Sequence, residues 1–462
     1  MKRPLLSLLI LLSSFAAFAQ ISFEKDYASA LKKARLRRTP LFIYVTPDSK
    51  IPAPSYTSGI NIPEVVRFYN EHFTSLRMPI ASSETKELTT KYQINRYPCY
   101  LFLDSNENLL FRAFNNDQQA KFYIDLGKEV LERLESKTSI YQYEQRYANG
   151  QLSKESFKDY IDLRHKIGIT NNAALVEEYV KLLKIGDLDD REEILFILRA
   201  GPLAFGKAYN FAFSNRKLAN EAFMALPLQE RIEINRVISE NTLNEAIVRR
   251  DIQLAQQVAN FARNTHTDYR DGERESAWKM LTYYKAVKDT ANFFSNATYY
   301  NDNYFMQVSV DSAKRAKAEN QKNIDMIKSF TKGTRKVVKA VPPISTDKRK
   351  ITVVTTRVTT VFGNANNISS LLNTAAWDFF ELGTRNINYL SKALLWSKRS
   401  IEMDPVPGYY DTLAHIFYRM GLYDEAILNQ KKSIELSEKQ PQLKGRIANL
   451  NFELIKMKER SL

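Results

Sequence analysis

The chain holds one cysteine, Cys99, among 462 residues. A lone thiol excludes an intramolecular disulfide, a Cys-x-x-Cys redox pair and any metal site built from several cysteines. The four histidines, His72, His165, His266 and His415, are scattered, so no His-rich metal site is expected. There is no Ser-His-Asp set, no phosphate-cradling glycine loop and no metal-ligand spacing. No catalytic residue, cofactor or metal is assigned on this basis. The thiol has two readings. Free cysteine is among the most buried residue types and fills apolar cores. In an oxidising compartment a lone thiol instead forms mixed disulfides with client proteins.

Cys99 opens the run Cys99-Tyr100-Leu101-Phe102-Leu103, apolar throughout, as a strand buried on both faces requires. A similar run occupies 40–46 (PLFIYVT), and weaker strand signals cover 73–80 and 109–114. Helical spacing of apolar residues appears over 22–36, 63–72, 84–92 and 118–134. The order is α-β-α-β-α-β-β-α, which predicts a mixed sheet covered by helices.

Residues 22–135 resemble an exported thioredoxin-like domain. The likeness lies in Ala30-Leu31-Lys32-Lys33-Ala34, in the strand after Thr39-Pro40, and in Pro63-Glu64-Val65-Val66 with Phe68-Tyr69-Asn70-Glu71-His72-Phe73. It continues through Leu88 to Ile94, Tyr97-Pro98 and Phe102-Leu103-Asp104. The resemblance implies a cis peptide bond before Pro98 and a site at Tyr97, Pro98 and Cys99 whose backbone pairs with an extended peptide. Redox-active members carry Cys-x-x-Cys just after the first core strand. Here that loop reads Thr46-Pro47-Asp48-Ser49-Lys50-Ile51-Pro52-Ala53-Pro54, with Ser49 and Pro52 where the cysteines would stand. Thiol–disulfide exchange needs an attacking thiolate and a resolving thiol, and serine is neither. Ser49, Lys50, Ile51 and Pro52 are therefore expected to form a degenerate active-site loop that serves recognition or packing.

Lys2 and Arg3 precede an apolar run from Leu5 to Leu12, and Ala17-Phe18-Ala19 follows. This reads as a secretory signal cleaved before Gln20. The run falls short of the roughly 20 residues that span a bilayer. A lipoprotein anchor needs a cysteine at the cleavage point, and Cys99 is far from it. An exported, periplasmic protein with no transmembrane span in its mature chain is expected.

Glycine and proline are scarce, at 14 and 15, which argues against a fold of short strands and tight turns. From 139 to 332 no strand is expected. Candidate helices include 140–148, 153–165, 171–185, 190–199, 202–213, 215–224, 228–239, 243–248, 251–264, 270–287, 289–300 and 303–330. They read as stacked pairs of an α-solenoid. The aromatic stripe from Tyr283 to Phe305 reads as inter-helix core.

The formal charge of +15 is concentrated. Residues 313–357 carry thirteen cations against three anions, with Pro342-Pro343 between them. This is expected to be either a solvated linker or a patch for an anionic envelope surface. The aromatic interleaving of single-strand binders is missing, so no nucleic-acid partner is expected.

At the C-terminus a period emerges. Trp377, Ala393 and Pro405 occupy three signature places of a tetratricopeptide repeat, and Tyr410, Ala414, Gly421, Tyr423 and Ala426 continue it. Trp377 to Tyr410 and Ala393 to Ala426 are each 33 residues. A capping helix is expected over 442–459.

The expected organisation is a signal peptide at 1–19 and an α/β thioredoxin-like domain at 20–137. An all-α helical-repeat region at 138–332 follows, then a basic linker or insertion at 333–367 and tetratricopeptide repeats with a cap at 368–462. The leading functional expectation is an exported, non-catalytic scaffold that binds proteins or peptides. The alternatives are a thiol-redox accessory acting through Cys99 and an envelope component that binds anionic surfaces through 313–357.

Overall fold

The structure, a computed structural model, describes residues 20–46, 58–333 and 368–462. The expected signal at 1–19, the loop residues Ser49, Lys50, Ile51 and Pro52, and the basic stretch beyond Gly333 lie outside the described residues. The chain divides into two compact units, with the boundary between Thr242 and Leu243. Among the described residues no helix is long and apolar enough to cross a membrane.

The first unit opens with a five-stranded mixed sheet. Its strands are β1 (Phe23–Glu24), β2 (Leu41–Thr46), β3 (Thr74–Pro79), β4 (Cys99–Leu103) and β5 (Leu109–Ala113). They lie in the order β1-β3-β2-β4-β5. β3 runs parallel to both β1 and β2, whereas β4 runs antiparallel to β2 and β5. Four helices accompany the sheet: α1 (Tyr27–Arg37), α2 (Pro63–His72), α3 (Ser83–Lys91) and α4 (Ala120–Glu135).

Period-two alternation sorts the central strands onto two cores. Ile43, Val45, Cys99, Leu101 and Leu103 pack with Ala30 and Ala34 of α1 and Leu88 of α3. Phe42, Tyr100 and Phe102 turn the other way, and their rings meet Tyr69 of α2 and Tyr123 of α4. Each large side chain buried this way contributes about 1.5–3 kcal/mol.

The helix expected over 22–36 begins later, at Tyr27. Phe23 and Glu24 are a strand paired with Ser75 and Leu76. Asp26 then caps the helix by accepting from the Ser29 amide at 2.7 Å. Tertiary pairing overrides the helical spacing, and the N-cap fixes where helix begins.

Beyond α4 the first unit is helical. The two helices expected over 228–239 and 243–248 are one continuous helix, Leu228–Arg249. Asn241 and Thr242, in the expected gap, both have their side chains used inside the fold. Asn241 Nδ2 donates to the Gly201 carbonyl at 2.7 Å, and Thr242 Oγ1 accepts from the Ala204 amide at 2.8 Å. The segment expected as one helix over 171–185 is Ala173–Tyr179 followed by 3₁₀ turns at Val180–Leu182 and Ile185–Asp189. Helix 202–213 shortens to Lys207–Ala212.

The second unit is all-helical among its described residues. Helices Ile252–Asn264, Tyr269–Ala286, Thr290–Tyr304 and Val310–Gly333 precede Ile368–Glu381, Ile387–Met403, Pro407–Arg419, Tyr423–Glu438 and Lys444–Lys458. One apolar core joins Phe293, Phe294 and Tyr300 to Leu372, Phe379, Trp396 and Ile416. Most of the aromatic stripe from Tyr283 to Phe305 is thus core, and only Tyr299 is strongly exposed, at 65%. Of the last five helices, Ile368–Glu381 packs against Ile387–Met403, Pro407–Arg419 packs against Tyr423–Glu438, and Lys444–Lys458 follows against the latter.

Candidate functional site

In the first unit, the Tyr97–Pro98 peptide bond is cis. Tyr97 and Pro98 are half-buried, and the Tyr97 hydroxyl donates to the Ile94 carbonyl at 3.4 Å. Cys99 follows directly and pairs across from Val45, one residue before β2 ends. Its side chain is fully buried. Burial pushes the thiol up to about 12, opposed only by the nearby Arg112 guanidinium. A thiol so shifted holds almost no thiolate at neutral pH, and the thiolate is the nucleophile.

Arg112 is itself 3% exposed. Its guanidinium donates from Nε to the Ile167 carbonyl at 2.6 Å and from Nη1 to the Tyr92 and Gln93 carbonyls. It also lies over the Phe114 ring. Desolvation lowers its pKa from the usual arginine range. Gly168 sits beside this contact with φ +80°, where a Cβ would stand 2.7 Å from Arg96 Nη2. Only glycine accepts both that backbone and that approach. The sheet is in this way tied to the C-terminal end of helix Lys154–Lys166.

In the second unit, the residues expected as tetratricopeptide signature positions divide into two groups. Ala393, Ala414 and Ala426 are fully buried where paired helices approach. Gly421 takes φ +80° at the turn between Pro407–Arg419 and Tyr423–Glu438. Pro405 is exposed just before Pro407, which occupies the first turn of its helix. Tyr410 is half-buried, and Tyr423 packs edge-on against Tyr418 at 5.3 Å. Trp377 is half-buried rather than core. Its ring lies 5.2 Å from Phe380 and 5.2 Å from His415. Arg419 covers Phe380 at 4.4 Å. Burial and the neighbouring Arg385 charge both lower the Arg419 pKa. Trp377, Phe380 and Arg419 thus form a partly solvated aromatic and cationic surface across the first helices of both pairs.

The largest buried side chain is Trp396, which the sequence period does not single out. Its indole Nε1 donates to Asp302 Oδ1 at 3.0 Å, while Lys392 pairs with Asp302 Oδ2 at 2.6 Å. Of the basic stretch at 313–357, the part inside helix Val310–Gly333 includes Lys317, which pairs with Asp404 at 2.6 Å.

The structure also brings together residues that the sequence reading did not connect. One donor atom each from Asp411, His415 and Glu453 lies within 4.8 Å of the others. Asp411 and His415 are four apart on one helix, a legible signal, but Glu453 comes from two helices further on. Proximity across helices brings together side chains that linear spacing does not announce.

No protein-family model matches the chain, and no curated protein matches it. Among solved structures, one likeness is to a DsbH oxidoreductase, at 19% identity over 26% of this chain and 92% of that one, with a TM-score of 0.22. Another is to the TPR domain of P58(IPK), at 14% identity over 73% of this chain and 98% of that one, with a TM-score of 0.14. At these TM-scores neither likeness bears on what the chain does.

Proposed function

We propose that this chain is an exported, non-catalytic interaction protein, with a thioredoxin-like head that lacks the dithiol and a tetratricopeptide-like array that binds a protein or peptide. The reading rests on the surface made by Trp377, Phe380 and Arg419. Its aromatic rings and one guanidinium stay partly open to solvent although the helices around them are closely packed. Aromatic and arginine side chains of this kind dominate binding energy at protein interfaces. The head supports the non-catalytic part: the chain has no second thiol, and Cys99 is buried with its pKa raised. The same burial weighs against the alternative of mixed disulfides through Cys99. The cis bond before Pro98 leaves the head a second candidate place for an extended peptide.

Selection from a displayed peptide library tests the reading. Peptides selected on the intact chain should lose at least tenfold in affinity on Arg419→Ala or Trp377→Ala, with helicity retained. A library that yields no binder, or binders indifferent to both substitutions, rejects the surface. Insulin reduction above background rejects the non-catalytic reading.

A further inference from the structure

Three consecutive helices of the second unit meet at a polar cluster. Pro407–Arg419 supplies Asp411 and His415, Tyr423–Glu438 supplies Gln430, and Lys444–Lys458 supplies Glu453. The geometry points to a binding site for one divalent transition-metal ion of the Zn²⁺ class, held by Asp411, His415 and Glu453 and completed by the Gln430 amide oxygen or water.

The first support is the donor set. One ring nitrogen and one oxygen from each carboxylate lie within 4.8 Å of one another. Zinc at its usual bond lengths places tetrahedral ligands about 3.4 Å apart, so side-chain rotations of about an ångström close the set. One imidazole with two carboxylates suits zinc and its first-row neighbours, whereas calcium and magnesium prefer oxygen alone.

The second support is independent of donor proximity. Gln430 is fully buried, and its Oε1 has no hydrogen-bond partner. Its Nε2 donates to the Leu450 carbonyl at 3.3 Å and lies 3.4 Å from Glu453 Oε2. A buried amide oxygen without a partner is costly, at about 1–3 kcal/mol. A half-turn of the amide gives up the Leu450 contact and aims Oε1 at the Glu453 carboxylate. Two oxygens face each other there only with a cation between them. Asp411 Oδ1 is likewise buried without a hydrogen bond. An ion satisfies both oxygens together.

The surroundings agree. His415 is 3% exposed and lies 2.8 Å by Nδ1 from the Asp411 carbonyl. Donation of that N–H to a carbonyl leaves the lone pair on Nε2 and fixes the ring, the usual outer-shell arrangement of a metal-bound histidine. The rings of Trp377 and Phe380 hold the imidazole from the side, at 5.2 and 5.0 Å. Because Glu453 stands on the final helix and Asp411 and His415 on Pro407–Arg419, a bound cation would clip these helices together.

The test uses the full chain stripped with chelator, then titrated with Zn²⁺ and with Co²⁺ as spectroscopic probe. One equivalent should bind, Co²⁺ should give a ligand-field band that Zn²⁺ displaces, and Zn²⁺ should raise the melting temperature. The near-isosteric variants Asp411→Asn and Glu453→Gln should each weaken binding at least tenfold and abolish the shift in melting, with unchanged circular dichroism. Gln430→Leu, which removes the unpartnered oxygen, should melt no lower than the wild type without metal yet gain less on adding Zn²⁺. Failure of the full chain to bind Zn²⁺, or equal binding by Asp411→Asn and Glu453→Gln, overturns the site.

Discussion

Arg112 donates from Nε to the main-chain carbonyl of Ile167 at 2.6 Å, across 55 residues of sequence. The buried cation donates to the carbonyls of Ile167, Tyr92 and Gln93, and among the described residues it pairs with no carboxylate. That arrangement fixes the sheet against helix Lys154–Lys166. Arg112→Leu should leave these acceptors short of donors. Each buried unsatisfied group costs about 1–3 kcal/mol, so a loss of about 2–4 kcal/mol is expected in urea unfolding. Arg112→Lys should recover only part of it, because a single ammonium cannot reproduce the planar fork. An unchanged unfolding midpoint for Arg112→Leu would show that the contact carries no weight.

Cys99 lies on the face of β4 that packs against α1 and α3, fully buried. Native protein at pH 8 should resist a thiol reagent for as long as the fold persists, and react once in urea. Cys99→Ser places a hydroxyl in the apolar layer and should destabilise by about 1–3 kcal/mol. Labelling of the native chain at the rate of an exposed thiol would contradict both statements.

His165 adds a pH dependence. Its pKa is lowered, first by burial and then by the adjacent Arg164 charge, with Glu233 opposing. Its Nε2 is buried without a hydrogen-bond partner. The folded state thus binds the proton less readily than the unfolded chain, whose histidine titrates near 6.5. Stability attributable to His165 is full above that value. It declines as the pH falls through it towards the folded pKa, because the unfolded state gains the proton first. His165→Gln should flatten the fall in urea-unfolding stability between about pH 7 and pH 5 relative to the wild type. Identical slopes would exclude the residue as a source.

Much of the sheet is legible in the sequence because its signals are local. The apolar runs at 41–46 and 99–103 are strands, and Pro63 opens α2 at the position where proline's fixed φ suits a helix start. The 33-residue spacing placed two helix pairs and a cap at the C-terminus within a few residues. What was not legible depends on partners distant in sequence. Phe23 and Glu24 become a strand only because β3 offers them a parallel edge. Asn241 and Thr242 stay helical only because Gly201 and Ala204 meet their side chains. The polar cluster escaped for the same reason: Glu453 lies 38 residues beyond His415, and no linear spacing announces that pair.

Trp396 is the last case of this kind. It is fully buried, yet its indole N–H is satisfied by Asp302, 94 residues earlier. Asp302 has a second partner, Lys392, whose side chain is 40% exposed. The two contacts differ in worth. A partly exposed ion pair contributes about 0–1 kcal/mol, whereas an indole N–H stranded in a core costs about 1–3 kcal/mol. Asp302→Asn keeps an oxygen for the indole and discards only the ion pair, so its cost should stay under about 1 kcal/mol. Asp302→Ala discards both and should cost about 2–3 kcal/mol, with a shift in tryptophan fluorescence absent from the Asn variant. Equal losses from the two substitutions, in urea unfolding followed by circular dichroism, would make the ion pair rather than the buried indole the reason for Asp302.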